Sequence, residues 1–440
     1  MEETIDIGKY LDFISETRLV KKSGKVKRIV GMILEGDGPP VAVGSICTII
    51  PISGKVSVKA QVVGFQDNKI LLMPLGDILG IEPGSIIEAT EENPTFSVTP
   101  HLMGRVIDGL GNPLDGKGQI PLGEQYPLMG VPINPLERKR LKQPLDLGVR
   151  CINGLLTCAR GQRIGILAGT GVGKSVLMGM IARNTKADIN VIALIGERGR
   201  EVVEFIEENL GPEGLEKSVV VAVTSDQPPP VRVRGAYIAT TIAEYFRDQG
   251  KDVLLMMDSV TRFALAQREI GLSAGEPPTT RGYTPSVFSS LPRLLERAGT
   301  SASKGSITGI YTVLVEGDDI AEPVSDALRA ILDGHIILSR DLASRNHFPA
   351  IDVLNSVSRM MNEVVSPEHH KQIMQIKDLL ATYREAEDLI NIGAYTPGSN
   401  PKIDQAVAKI GAINQYFRQD VMEKANLEES IQGLKAIIGV

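Results

Sequence analysis

The 440-residue sequence has little of several residue types that mark particular protein classes. It has no tryptophan, and its three cysteines (Cys47, Cys151 and Cys158) are too few and too scattered for a disulfide scaffold or a zinc site. No apolar run approaches the roughly 20 residues of a membrane-spanning helix. The first residues also lack the basic stretch of a signal peptide, so we expect a cytosolic protein with reduced, mostly buried thiols.

The sequence also has little net charge. Its 47 basic and 53 acidic residues leave a formal charge of −6 at pH 7. This balance argues against a protein whose affinity comes mainly from nucleic-acid phosphates, and we expect no nucleic-acid partner. The composition, 42% hydrophobic and 23% charged, is that of a folded protein, and the length suggests about three domains.

The N-terminal part of the chain shows two patterns. Residues 1–24 carry apolar side chains at near-helical spacing, which predicts an amphipathic helix that either docks a partner or folds back on its own domain. Residues 25–95 predict a small antiparallel β-barrel, because short β-rich runs alternate with Gly-rich turns. The predicted strands of the barrel are 26–33, 41–50, 59–65, 69–74 and 85–89.

The remainder of the chain divides into an α/β domain over 96–365 and a helical domain over 366–440. The α/β domain opens with a linker rich in Gly and Pro over 99–144. Apolar strands then alternate with helices, which is typical of a mostly parallel sheet covered on both faces. Its predicted strands are 163–167, 190–195, 218–223, 252–257, 307–315 and 335–338. The C-terminal helices are broken at Gly393 and at 397–401.

One segment has the pattern of a loop that binds phosphate groups, with alanine in place of the usual first glycine. Its residues are Ala168, Gly169, Thr170, Gly171, Val172, Gly173, Lys174 and Ser175, with Val176 next in the predicted helix. Backbone N–H groups must turn toward the anion there, and a Cβ would obstruct them. We therefore expect this loop to hold a nucleotide such as ATP or ADP, with Lys174 on the terminal phosphates and the Ser175 hydroxyl on Mg²⁺.

Two acidic residues follow apolar strands of the same domain. Asp258 ends one strand and is expected to hold Mg²⁺ through water. Glu197 should emerge at the carboxyl edge of the sheet, where it can orient and polarise an attacking water. Alternatively, Glu197 belongs to a surface salt-bridge cluster, because Glu and Arg alternate over 196–201. Arg198 and Arg262 either add positive charge near the γ-phosphate or have ordinary surface roles.

Several motifs together resemble the catalytic subunits of rotary ATPases, the superfamily of the F-type ATP synthases. The resemblance rests on Gly-Glu-Arg at 196–198 and on the segment 349–359, and it extends over essentially the whole chain. Within that superfamily the segments 154–163 and 257–264 are similar to the ATPases of type III protein export. The segment 392–401 resembles the flagellar members more than the virulence-associated ones.

The resemblance implies a central P-loop domain of RecA-like fold and a homohexameric ring with nucleotides between its subunits. Arg359 then matches the arginine that reaches into the neighbouring subunit's site, and Phe348 and Tyr416 match aromatic residues that stack on adenine. Without the resemblance, Arg359 would be an ordinary arginine at the start of a helix. The two aromatic residues would need no explanation beyond a place in the core.

The resemblance also implies a function: Mg²⁺-dependent ATP hydrolysis that helps to release export substrates from chaperones and to feed them into a membrane-embedded export gate. A stator-like regulator would bind the N-terminal helix, and a coiled-coil stalk would sit in the ring. Such a protein would associate peripherally with the inner face of the membrane export apparatus.

Other functions remain open at this point. A regulatory nucleotide-binding subunit that does not hydrolyse ATP would lack a carboxylate base, and Glu197 argues against it. The segment 154–163 argues against the catalytic subunit of a membrane ATP synthase. The acidic balance argues against an RNA translocase, as does the barrel segment, where Phe65 is the only aromatic residue. A virulence-type secretion ATPase remains an alternative to a flagellar one.

Overall fold

A computed structural model describes residues 22–54, 56–130, 133–302, 305–315 and 322–439. The described chain divides into two compact units. The first contains the residues up to Pro94 together with Ile270–Glu276, and the second contains Thr95–Glu269 and the residues from Pro277 onward. The helix predicted within residues 1–24 lies outside the described residues except for the last three, where Ser23 already begins a strand.

The first unit contains a closed six-stranded antiparallel barrel with the strand order β1-β2-β5-β4-β3-β6. Its strands are β1 (Ser23–Val30), β2 (Ile33–Asp37), β3 (Ile46–Ile50), β4 (Val58–Gln66), β5 (Lys69–Pro74) and β6 (Ile86–Glu91). Apolar side chains such as Leu34, Ile49 and Leu72 fill its interior. The single strand predicted over 26–33 is wrong, because the chain reverses at Gly31, whose φ of +57° favours glycine.

The second unit is built on a nine-stranded sheet in the order β19-β18-β12-β17-β15-β13-β14-β8, with β16 paired to β17. All of its pairs are parallel except β18 with β19 and β16 with β17. The strands of this unit are β7 (Thr95–Val98), β8 (Val106–Ile107), β9 (Glu124–Pro127), β10 (Pro144–Leu145), β11 (Cys158–Ala159), β12 (Arg163–Ala168), β13 (Ile189–Glu197), β14 (Ser218–Thr224), β15 (Asp252–Asp258), β16 (Gly299–Thr300), β17 (Ser306–Leu314), β18 (Gly334–Leu338) and β19 (Ile351–Ser358).

The helices cover the sheet and form the C-terminal part of the chain. They are α1 (Arg150–Leu155), α2 (Lys174–Asn184), α3 (Gly199–Glu204), α4 (Gly211–Glu216), α5 (Pro229–Asp248), α6 (Val260–Ser273), α7 (Pro285–Leu295), α8 (Pro323–Ile331), α9 (Arg340–Ser344), α10 (Met361–Val364), α11 (Pro367–Asn391), α12 (Pro401–Phe417) and α13 (Leu427–Ile438). A π-helical turn, Phe205–Leu210, joins α3 to α4. Within the described ranges, no helix combines the length and the apolar character needed to cross a bilayer.

The fold class predicted from the sequence is confirmed: a small barrel, a mostly parallel sheet with helices, and C-terminal helices. All six strands predicted for the sheet are present to within two residues at each end. The sheet also contains three strands that were not predicted: β8, β16 and β19. β8 lies inside the predicted linker 99–144 and joins the sheet beside β14, and β19 runs antiparallel at the other end of the sheet.

Gly179, in the middle of α2, provides a test of the packing beneath the phosphate-binding loop. A Cβ at this position would lie only 2.6 Å from the backbone oxygen of Asn209 in the π-helical turn. Because backbone cannot rotate away as a side chain can, we expect Gly179→Ala to lower the free energy of unfolding by about 1–3 kcal/mol, measured by chemical denaturation.

Gly411 in α12 provides the matched control, because a Cβ there would meet no atom within 4 Å. Alanine forms helices better than glycine, so Gly411→Ala should leave stability unchanged or raise it by up to about 1 kcal/mol. Equal effects of the two substitutions would contradict the close packing at Gly179.

Candidate active site

The phosphate-binding loop connects β12 to α2 at the centre of the sheet. β12 ends at the buried Ala168, and α2 begins at Lys174. Gly171 and Gly173 have φ values of +79° and +89°, a backbone conformation that residues with a Cβ rarely adopt. The loop therefore takes the shape expected from its sequence, and the positive end of the α2 dipole faces the same place.

Three charged groups from three elements meet beside this loop. Glu197 and Asp258 end the adjacent parallel strands β13 and β15, so both lie at the carboxyl edge of the sheet. The ammonium of Lys174 contacts the Asp258 carboxylate, and its Nζ lies 3.8 Å from Glu197 Oε1. The Thr312 hydroxyl donates a hydrogen bond of 2.7 Å to Asp258 Oδ1. The structure thus brings together Lys174, the predicted general base Glu197 and the predicted metal-binding carboxylate of Asp258.

The Glu197 carboxyl group has an unusual proton affinity. It is only 8% exposed, and its Oε1 has no hydrogen-bond partner among the described residues. Burial, and next the negative charge of Asp258, raise the pKa of Glu197 to about 7, although Lys174 acts in the opposite direction. A carboxylate that takes up a proton near neutral pH can serve as a general base for a bound water.

The two arginines predicted near this carboxylate lie in different surroundings. Arg262 lies in the first turns of α6, and its side-chain carbons pack closely on Gly196. A Cβ added to Gly196 would lie only 2.9 Å from the Cβ of Arg262. Its positive charge acts on Glu197 and lowers the pKa of that group. Arg198 is exposed and pairs with Glu201 at 3.2 Å. The structure therefore brings Arg262, but not Arg198, into the electrostatic surroundings of Glu197.

A cavity of about 810 Å³ opens beside the phosphate-binding loop. Val172, Gly173 and Val176 line one side of it. Phe348 is 42% exposed, and its ring lies 3.6 Å from the position that a Gly173 Cβ would occupy. Val421, from the chain between α12 and α13, also lines the cavity. The volume and the exposed aromatic ring suit a flat heterocyclic base.

Tyr416 is not among the residues that line this cavity. Its ring is buried, and its hydroxyl donates a hydrogen bond of 2.8 Å to the Ser430 carbonyl. Gly154 and Gly433 leave room for the ring, since a Cβ on either would lie within 2.7 Å of a Tyr416 side-chain atom. The structure places Tyr416 in the packing between α1 and the C-terminal helices, and Val421 occupies the cavity wall.

Arg359 lies at the opposite edge of the sheet from the phosphate-binding loop. It directly follows β19, which runs antiparallel, so that Ser358 pairs with Gly334 at the start of β18. The guanidinium is exposed and donates hydrogen bonds to the carbonyls of Leu332 and Arg329 at 3.1 and 3.2 Å. A strand of six residues is roughly 20 Å long. Arg359 therefore cannot reach the site of its own chain.

The residues available for a metal suit Mg²⁺. Ser175 and Asp258 provide a hydroxyl and a carboxylate, and Mg²⁺ prefers such oxygen ligands. Across the part of the chain that the structure describes, no group of three or more His, Cys, Asp and Glu side chains could hold a metal ion. Mg²⁺ itself is usually bound by only one or two protein ligands and completes its shell with water and phosphate oxygens.

Two further residues of the site had no clear signal in the sequence. Thr312, in the middle of β17, orients Asp258 from a neighbouring strand. Gln419 lines the cavity beside the phosphate-binding loop, which we call the base cavity because it suits a nucleotide base, and is 5% exposed. Neither position belongs to a local motif, because the contacts of each join segments that are distant in the sequence. The alternation of side chains along a strand could have suggested that Thr312 lies on one face of the sheet, but not which residue it meets.

Three segments of the chain match known protein families. Residues 26–91 match the beta-barrel domain of the ATP synthase alpha/beta family, and residues 148–358 match the nucleotide-binding domain of the same family. Residues 365–436 match the T3SS EscN ATPase C-terminal domain.

Individual relatives are similar over nearly the whole chain. The sequence is 53% identical over 435 residues to the Flagellum-specific ATP synthase of Bacillus subtilis strain 168, with 98% of each chain covered. It is 48% identical over 416 residues to the Type 3 secretion system ATPase of Sinorhizobium fredii, with 94% of this chain and 92% of that protein covered.

Two solved structures share the fold. One is the assembled ATPase EscN from the type III secretion system of enteropathogenic E. coli, with a TM-score of 0.89 at 46% sequence identity. The other is assembled EscN in complex with its central stalk EscO, with a TM-score of 0.87 at 46% identity. Each comparison covers 94% of this chain and 100% of the other.

The raised pKa of Glu197 leads to a prediction about stability. The pKa lies near 7 in the folded protein, against 4.5 for an ordinary glutamate, so the folded state holds this proton more tightly than the unfolded chain does. Stability therefore falls as the pH rises from about 4.5 through 7. We expect Glu197→Gln, which resembles the protonated group, to raise the melting temperature of the nucleotide-free protein at pH 8 and to change it little at pH 5.

Circular dichroism melting curves at the two pH values would measure this effect. Glu208→Gln is the matched control, because Glu208 is exposed on the π-helical turn and should respond equally at both pH values. An equal effect of Glu197→Gln at pH 5 and pH 8 would show that the carboxyl group titrates in its ordinary range.

Proposed function

Because this chain belongs to the flagellum-specific and type III secretion ATPases of the ATP synthase alpha/beta family, we propose that it acts as a homohexameric, Mg²⁺-dependent ATP hydrolase of flagellar protein export. Family membership makes it an ATPase of type III export. The observation that supports the proposed mechanism is the meeting of Lys174, Asp258 and Glu197 at one edge of the sheet while Arg359 lies at the other.

In this proposal the phosphate-binding loop holds the triphosphate of ATP. The backbone N–H groups of residues 169–176 and the Lys174 ammonium bind the phosphate oxygens. Ser175 and Asp258 would hold Mg²⁺, which supplies positive charge to the phosphate oxygens when it is bound. The adenine enters the adjacent cavity and stacks on Phe348.

Glu197 then orients the attacking water and accepts its proton. Its buried position keeps bulk water away from the carboxylate, and a pKa near 7 in the free protein allows the group to gain and release a proton at physiological pH. Arg262 adds positive charge beside the same carboxylate. We assign no role in catalysis to Arg198, because it is exposed and pairs with Glu201.

The position of Arg359 supports a site that two subunits share. The arginine is exposed and lies at the opposite edge of the sheet from its own phosphate-binding loop, which leaves it available to a neighbouring subunit. There it would neutralise charge that develops on the γ-phosphate, a contribution of about 10³–10⁵ in rate for such arginines. A head-to-tail contact of this kind forms a ring when the rotation between neighbouring subunits closes, and the relative EscN, which was solved as an assembled ATPase, supports the ring that we propose.

The partners follow from the same family. The relative EscN has been solved with its central stalk, and we propose that a coiled-coil stalk also enters the ring of this protein. We further propose that a stator-like regulator binds the segment 1–24, and that the ring helps to release substrates from chaperones at a membrane export gate. The ring would then sit at the inner face of the membrane that carries this gate.

A flagellar role is favoured over a virulence-type one. The preference rests on the segment 392–401, which resembles the flagellar members; the identity is 53% to the flagellar relative of Bacillus subtilis, 47% to that of Salmonella typhimurium and 48% to the secretion ATPase of Sinorhizobium fredii. Co-purification of flagellar or of virulence export components with the tagged protein would distinguish the two, because the ATPase chemistry is the same in both.

The role of Glu197 can be tested by replacing it with glutamine. We expect Glu197→Gln to keep its affinity for Mg²⁺ and ATP but to lose about 10²–10⁴ in turnover, since the amide cannot accept the proton of the attacking water. Nucleotide binding by fluorescence and phosphate release in the steady state would measure the two properties. Glu208→Gln should retain both, and substantial turnover by the Glu197 variant would remove Glu197 from the role of base.

The shared site can be tested by mixing two inactive variants, Glu197→Gln and Arg359→Ala. If Arg359 acts across subunits, a site is complete when an Arg359→Ala subunit supplies its intact Glu197 and the neighbouring Glu197→Gln subunit supplies its intact Arg359. In rings of random order, about one quarter of the sites would then be active. We therefore expect the mixture to hydrolyse ATP although neither variant does so alone.

Each variant measured alone at the same total protein concentration is the control for this mixing experiment. Activity in the mixture no higher than the mean of the two variants would contradict a shared site, provided that mass measurement shows mixed rings.

The unmixed wild-type protein should also gain specific activity with concentration as rings assemble.

A further inference from the structure

Gln419 connects three segments of the chain around the base cavity. It lies just after α12 and is almost completely buried. Its Nε2 donates hydrogen bonds of 2.9 Å to the Gly148 and Glu423 carbonyls, and its Oε1 accepts one of 2.7 Å from the Arg150 backbone N–H. Every hydrogen-bonding atom of the carboxamide is thereby used in a defined direction.

The backbone of the same residue holds the aromatic ring of the cavity. The Gln419 N–H donates a hydrogen bond of 3.0 Å to the carbonyl of Phe348. The loop that carries Phe348 is thus attached to the C-terminal chain, while the carboxamide attaches that chain to the start of α1. The position of the ring over Gly173 therefore depends on how Gln419 is held.

Arg150 strengthens the same junction from the other side. Its guanidinium donates hydrogen bonds to the carbonyls of Tyr416 and Arg418 at 3.2 and 3.0 Å, and it forms an ion pair with Glu423. The segment 416–423 is therefore attached to the start of α1 in two ways. The Arg150 side chain contacts Tyr416, Arg418 and Glu423, and the Gln419 carboxamide bonds to the backbone of Gly148 and Arg150. The carboxamide is the more specific of the two attachments, because it needs two carbonyl acceptors and one N–H donor at fixed positions.

We propose that Gln419 is a positioning residue for the nucleotide base: its carboxamide holds the C-terminal chain in the one position that sets Phe348 for stacking. This inference rests on the proposed binding of ATP in the cavity. Lys174, which is proposed to bind the phosphates, and the acidic residues Glu197 and Asp258 are not among the hydrogen-bond partners of Gln419. Loss of the carboxamide should therefore weaken binding of the base and spare binding of the phosphates.

The experiment compares a ligand with a base and a ligand without one. Gln419→Glu keeps the acceptor for the Arg150 N–H but turns an oxygen toward the carbonyls of Gly148 and Glu423, and Gln419→Met removes all three hydrogen bonds at similar volume. For both variants we expect the dissociation constant of ADP and the KM for ATP to rise about 10-fold, with kcat largely retained. We expect inorganic tripolyphosphate with Mg²⁺ to inhibit both variants and the wild type with the same inhibition constant.

The controls separate this inference from the proposed function. Gln405→Glu makes the same chemical change at an exposed position on α12 and should leave all the constants unchanged. Unchanged ADP affinity in both Gln419 variants would overturn the inference, and so would an equal loss of tripolyphosphate and ADP binding, which would indicate a general structural role. Failure of the wild-type protein to bind ADP more tightly than tripolyphosphate would instead overturn the proposed base cavity, and with it the inference.

Discussion

The contact of Lys174 with Asp258, close to Glu197, is the interaction on which the rest of the site depends. Two buried carboxylates next to each other are unfavourable, and one ammonium compensates only one of them. Burial, and next the negative charge of Asp258, raise the pKa of Glu197 to about 7. The same ammonium is the group expected to bind phosphate, so a single side chain both offsets the charge of the buried carboxylates and is expected to bind the substrate.

The direction of the strands determines which functional side chains a single chain can bring together. Parallel strands bring Glu197, Asp258 and the phosphate-binding loop to one edge of the sheet. The antiparallel β19 carries the chain back, so Arg359 emerges at the other edge. A sheet of this topology cannot bring all four groups together within one molecule. The proposed ring therefore has a physical reason in the fold. Assembly would bring the Arg359 guanidinium of a neighbouring subunit to the site, which the Arg359 of the same chain cannot reach.

The groups proposed to bind the phosphates and the nucleotide base belong to different parts of the structure. The phosphate-binding loop follows β12, and Glu197 and Asp258 end β13 and β15; these strands are almost completely buried, and their close packing fixes the positions of the groups at their ends. The base cavity is closed by loops around Phe348 and Val421, and Gln419 joins them through a few directional hydrogen bonds. Any movement of the C-terminal helices would accordingly affect the base before it affects the phosphates.

The sequence by itself determined those features that depend on short stretches of chain. Glycine conformations define the loop before Lys174, and apolar runs define the six parallel strands whose ends place Glu197 and Asp258. Only the tertiary structure decided that Tyr416 is buried while Val421 lines the cavity, that β8 extends the sheet, and that Gln419 holds the Phe348 loop. These features arise from contacts between distant segments, whose partners no local pattern specifies.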